Sequence, residues 1–183
     1  MKLAFRATAL LLLFGLPAGA AERSPAGEFA ATATLTTNQG TRSMGFTVVV
    51  SNPRTLEQAL PLKKILEEGG QQALLNAMRG SPGGQFRLGA LVYPIDLVVA
   101  EPVKDGEHYF IVTARALHIE EVNEGRPSLE HPFTVVEFVV PEFGRGEGHV
   151  YTQSALLVDA EGHVRVQQYE AEPGMLKDVR RVK

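Results

Sequence analysis

The run His131-Pro-Phe-Thr-Val-Val-Glu-Phe-Val-Val140 is the most strand-like stretch of the chain, and Pro141-Glu-Phe-Gly-Arg-Gly-Glu-Gly-His149 follows it directly. β-Branched and aromatic residues crowd the first run, as a buried, pleated strand requires. One carboxylate, Glu137, is set in its apolar row. The glycines of the second run suit a turn, and residues 150–158 then read as a strand pairing back. This pair belongs at the centre of a β-sheet, and the rest of the chain is read outward from it.

Toward the C-terminus, Asp159-Ala-Glu-Gly162 is a turn and residues 164–169 close a hairpin. Pro173-Gly174 turns again, and residues 176–182 are expected to form a last edge strand. Toward the N-terminus, residues 109–115 are apolar on both faces and Lys104-Asp105-Gly106 is a hairpin turn. Residues 92–101 read as one strand with Ile95, Leu97 and Val99 on one face, and residues 86–91 as another. Further back, Phe29, Ala31, Ala33 and Leu35 alternate with threonines. After Asn38-Gln-Gly40, Met44, Phe46, Val48 and Val50 do the same. These two runs predict a hairpin.

Between the hairpin and the later strands the period changes. Thr55 and Gln58 have capping-box spacing, and Leu56, Ala59, Leu60, Leu62, Ile65 and Leu66 follow helical spacing. Pro61 implies either a kink or a turn before a helix starting there. Gly69-Gly70 should end the helix, and residues 71–79 predict a second short one, before the break at Ser81-Pro-Gly-Gly84. The class is α+β: a mainly antiparallel sheet of about eight strands, curved or a partial barrel, with a helical pair inserted after the second strand. A two-sheet β-sandwich is the alternative. Short links imply antiparallel pairing throughout.

The first twenty residues have the pattern of a secretory signal peptide. Lys2 and Arg6 precede a short apolar run, and Pro17-Ala-Gly-Ala20 ends in small residues. Cleavage near Ala20 would remove two basic and no acidic residues, taking the formal charge from −3 to −5. Residues 21–27 read as a disordered lead-in and 28–183 as a single domain. The expected location is the periplasm or the cell exterior. The acidic balance argues against nucleic-acid binding, which depends on Lys and Arg neutralising phosphates. No segment of the mature chain has a transmembrane pattern. There is no cysteine, so there is no disulfide.

No motif brings a cofactor with it. Gly144-Arg-Gly-Glu-Gly148 lacks the Lys-Ser/Thr ending and the following helix of a phosphate loop. There is no Gly-x-Ser-x-Gly elbow. His118-x-Glu120 and Glu147-x-His149 each supply at most two of the three or four ligands that zinc needs, so no metal site is expected. Glu137 is the catalytic candidate, because a buried carboxylate is costly unless paired. Arg115, Arg145 or Arg165 could pair with it, and Arg115, Arg145 and Glu147 are the binding candidates. The alternative is that Glu137 lies on a solvent face while Val136, Phe138 and Val140 face the core. The basic tail Lys177, Arg180, Arg181 and Lys183 reads as a solvated edge or a docking surface.

The runs Leu66-Glu-Glu-Gly-Gly-Gln-Gln-Ala-Leu-Leu75, Pro132-Phe-Thr-Val-Val-Glu-Phe138 and Gly144-Arg-Gly-Glu-Gly148 resemble a group of uncharacterised, acidobacteria-like secreted bacterial proteins. So does the ending from Tyr169 through Pro173, Leu176 and Val179. The resemblance implies a single secreted domain; it implies no activity and no catalytic residues. The functional expectation is a non-enzymatic exported protein that binds a small apolar ligand or an envelope protein. The alternatives are a hydrolase-like enzyme using Glu137 and a structural or assembly protein of the envelope.

Overall fold

Alternation in the first hairpin sets the architecture. β1 (Gly27–Thr37) and β2 (Gly40–Val50) pair antiparallel, with Phe29 opposite Val48 and Ala33 opposite Met44. Phe29, Ala33, Leu35, Phe46, Val48 and Val50 are buried, while Thr32, Thr36 and Thr41 are exposed. The computed structural model describes residues 25–37, 40–80, 82–115, 130–168 and 172–182. The proposed signal peptide, the His118-x-Glu120 pair and residues 21–24 of the lead-in lie outside the described residues. Pro25 and Ala26 are tied to the barrel: Tyr109 donates to the Pro25 carbonyl (2.9 Å) and Arg181 to that of Ala26 (2.8 Å).

The other strands are β3 (Gly84–Leu88), β4 (Leu91–Ile95), β5 (Leu97–Val103), β6 (Gly106–Thr113), β7 (Phe133–Pro141), β8 (Gly146–Val158), β9 (Val164–Gln168) and β10 (Gly174–Arg181). All ten join one sheet in the order β4-β3-β2-β1-β10-β8-β7-β6-β5, with β9 paired to the far half of β8. Every strand pairing is antiparallel. The two ends of this order are consecutive in the chain, since only Asp96 separates β4 from β5. One bent segment therefore pairs with β3 before Asp96 and with β6 after it. The sheet curls into a nearly closed barrel rather than dividing into a sandwich.

Asp96 explains why residues 92–101 are not one strand. Its N–H donates to the Val112 carbonyl (3.1 Å), and its carboxylate accepts from the Ala114 N–H (2.7 Å). The chain bends there and changes face. Ile95 packs inside the barrel, whereas Leu97 and Val99 pack outside it, so the expected common face is corrected.

Side chains fill the barrel. The rings of Phe29, Tyr109 and Phe138 lie 4.7, 5.0 and 5.7 Å apart by centroid, with Val48, Ile111 and Leu176 packed around them. A second core lies outside the barrel. There α1 (Leu56–Met78) covers the outer face of the sheet with Leu62, Leu66, Leu74, Leu75 and Met78. Each fully buried side chain of this kind is worth about 1.5–3 kcal/mol. Thr55 and Gln58 form the predicted capping box (Gln58 N–H to Thr55 Oγ1, 3.3 Å; Thr55 N–H to Gln58 Oε1, 3.0 Å). Pro61 is absorbed inside the helix. The break falls at Gly70, whose φ of 68° is left-handed.

β7 is central, as expected, and covered on both sides over most of its length: Val136 and Phe138 face the barrel interior, and Phe133 and Val135 face α1. One expectation about the sheet needs correction. β10 is not an edge strand, because it lies between β1 and β8. Its register shifts between Leu176 and Val179, where Asp178 takes a positive φ of 59°. This bulge brings Leu176 and Val179, three residues apart, onto the interior face.

Candidate functional site

The site grows from a hairpin. Lys104 and Asp105 form a two-residue connection, since Val103 pairs with Gly106. That register places Glu101 on β5 opposite His108 on β6. Both belong to the outer face, in line with Leu97, Val99, Phe110 and Val112 of the outer core. The next pairing places Glu137 of β7 opposite Phe110. His108 and Glu137 thus meet diagonally, Nε2 to Oε1 at 2.9 Å, with side chains 13 % and 18 % exposed.

Glu137 occupies a border. Phe133 and Val135, earlier on the same face, are buried beneath α1, while Val139 beyond it is exposed. Both sequence expectations therefore hold in part. Val136, Phe138 and Val140 do face the interior, yet the face that carries Glu137 is covered over most of its length. The partner of Glu137 is an imidazole and not one of the arginines proposed. Arg145 pairs with Asp178 (2.9 Å), and Arg165 pairs with Asp159. Arg115 is exposed just beyond β6.

Tyr151 on β8 borders the same polar group. It stands opposite Val135, and its ring lies 6.1 Å from that of His149, which pairs with Glu137 across the β7–β8 ladder. Burial, with a further contribution from the Glu137 charge, pushes the Tyr151 phenol up to about 12. Glu147 and His149 are themselves exposed.

A cleft opens beside this group, between α1 and the outer sheet face. Leu56, Ala59 and Leu66 form one wall, and Val99, Phe110 and Leu156 the other. Glu101 and His108 line it as well, as does Lys63 of α1. The cavity is small, about 80 Å³, and lies partly open to solvent. One oxygen of Glu101, Oε1, is buried and has no hydrogen-bond partner among the described residues. A polar atom so placed costs stability until a donor reaches it. Among the described residues the lining holds no hydroxyl or thiol.

Two other features resolve into structure. Gly144-Arg-Gly-Glu-Gly148 is a place of close strand approach. Gly144 takes a φ of 93° in the turn, and a Cβ on Gly148 would stand 2.2 Å from the Glu137 carbonyl oxygen. Asp159, Glu161 and His163 bring ligand-type atoms within 4.8 Å of one another in the β8–β9 turn. Asp159 already accepts from the His163 N–H (2.8 Å) and from Arg165. The His163 N–H first, with Arg165 adding to it, holds that carboxyl down to about 2. Its oxygens are thus engaged in closing the turn.

No family model, no curated protein and no solved structure matches this chain. The reading of the site accordingly rests on its own geometry.

Sequence reasoning singled out Glu137 and missed Glu101 and His108. The turn at Lys104-Asp105 carried the signal for both, because a two-residue link fixes Glu101 opposite His108 by counting back three residues on each side. The meeting of His108 with Glu137 had no such local signal.

Proposed function

We propose that this is an exported binding protein that takes a small, largely apolar molecule in the cleft between α1 and the outer face of the barrel. The observation that carries the reading is the cleft itself: apolar walls with a few polar groups gathered at one place, the composition expected of ligand sites. The barrel interior offers no comparable claim, since its core is packed with aromatic and aliphatic side chains. Export rests on the leader-like pattern of residues 1–20.

The test is a thermal-shift and native mass spectrometry screen with short n-alkyl and phenyl-alkyl probes. Ala59→Trp, which projects a large ring into the cleft, should abolish the stabilisation that the native sequence gains from them. Retention of the effect in that variant would place the ligand elsewhere and defeat the reading.

The His108–Glu137 pair favours a second reading, an enzyme that uses the imidazole as a general base. A carboxylate that orients a histidine is the usual supporting arrangement for proton transfer. With no hydroxyl or thiol in the described lining, such an enzyme would use the imidazole to activate water. Hydrolytic turnover of an ester probe that His108→Gln abolishes would favour this reading over simple binding.

A further inference from the structure

We infer that the molecule held in the cleft carries a cationic, hydrogen-bond-donating head on a short apolar body, an alkyl- or arylalkyl-ammonium rather than a fatty acid. This inference rests on the cleft being a binding site, and it concerns which chemistry the site selects.

Glu101 lines the cleft with one carboxylate oxygen left unsatisfied. Its Oε1 is buried and unpartnered among the described residues, although His108 stands directly across the ladder. The Nε2 of His108 is engaged by Glu137. The imidazole is oriented toward one carboxylate, and the other has an oxygen left over. A buried carboxylate oxygen is an acceptor and favours a donor, most of all a charged one.

Charge points the same way. Glu101, His108 and Glu137 together carry a net charge of −1 when the imidazole is protonated and −2 when it is neutral. The one ammonium on the described lining, that of Lys63, lies 3.5 Å from Glu67 on its own helix. A carboxylate head beside Glu101, the one carboxylate on the described lining, would meet a like charge in mostly apolar surroundings, which disfavours binding. An ammonium would satisfy Glu101 and neutralise the cluster. The volume of about 80 Å³ limits the buried part of the body to a short chain or a single ring.

Isothermal titration calorimetry with hexylammonium, 1-hexanol and hexanoate separates the claims. Hexylammonium should bind at least about tenfold more tightly than hexanoate, the value of a charge-assisted hydrogen bond. Glu101→Gln, which keeps the side-chain shape, should remove most of that preference and leave hexanol binding in place. Glu147→Gln, an exposed carboxylate on β8, should change nothing, which separates the site from general attraction of cations to an acidic protein. Equal or tighter binding of hexanoate, or a preference untouched by Glu101→Gln, would overturn the head-group inference while leaving the cleft as a site. Failure of all three probes to bind would overturn the cleft reading and this inference with it.

Discussion

His108 and Glu137 come from strands joined by a long connection, yet they meet at 2.9 Å on the outer face of the barrel, where the cover of α1 runs out. The positions before Glu137 on the same face, Phe133 and Val135, are apolar and buried. A carboxylate in that row stays compatible with folding because the imidazole satisfies it.

The pair should therefore be coupled in stability. Glu137→Gln and His108→Gln are each expected to destabilise the fold, with a coupling of about 1 kcal/mol in a double-mutant cycle measured by urea unfolding. Additive single effects would mean that the contact contributes nothing.

Truncation after Leu176 is expected to abolish cooperative unfolding. The lost segment is half of a strand between β1 and β8, and it carries Val179, which is buried in the barrel, and Arg181. Arg181 donates to Glu107 (2.7 Å) and to the Ala26 carbonyl and stacks over the Phe29 ring. A truncated protein that melts cooperatively would revive the idea of a detachable docking tail.

The β7–β8 approach sets a third expectation. Gly148→Ala would force a methyl to 2.2 Å from the Glu137 carbonyl oxygen and 2.5 Å from the Phe138 Cβ, so the strands must separate. The cost is expected to be at least about 2 kcal/mol. The neighbouring Glu147→Ala, at an exposed position, should stay within about 0.5 kcal/mol. Comparing the two denaturation midpoints tests whether the glycine is there for space.

Tyr151 gives the fold an alkaline limit. Its folded-state phenol keeps its proton to about 12, against an ordinary value of 10.0. The folded state then binds more protons than the unfolded state above pH 10, so stability falls as pH rises from about 10 toward 12. Below pH 10 the shift has no effect. Tyr151→Phe should flatten this part of the alkaline limb in guanidinium melts taken across that window. An unchanged limb would show that the phenol does not contribute to it.

Most of the fold was legible in the sequence because most strand pairs are joined by short turns. Lys104-Asp105 and Asp159-Ala-Glu-Gly162 fix their own registers. What could not be read is non-local. Leu176 and Val179 are three residues apart, and only the bulge at Asp178 brings them to one face. By simple alternation, β10 therefore looked like a charged edge. The face change at Asp96 depends on its bond to Ala114, just past the end of β6, which no window around residue 96 contains. The site was half legible for the same reason. Glu137 stood out as a carboxylate in an apolar run. Its partner depended on the β6–β7 register, and the cleft depended on how α1 lies across the sheet.

If the space between α1 and the outer sheet face is the binding site, a ligand must perturb the side chains that line it, and methyl NMR during titration with hexylammonium reads this. Saturable shifts are expected at Leu66, Val99 and Leu156, which line the cleft, and none at Val48, Ile111 and Leu176 inside the barrel. Saturable shifts confined to the barrel interior, or no saturable shift at the cleft methyls, would contradict binding in the cleft.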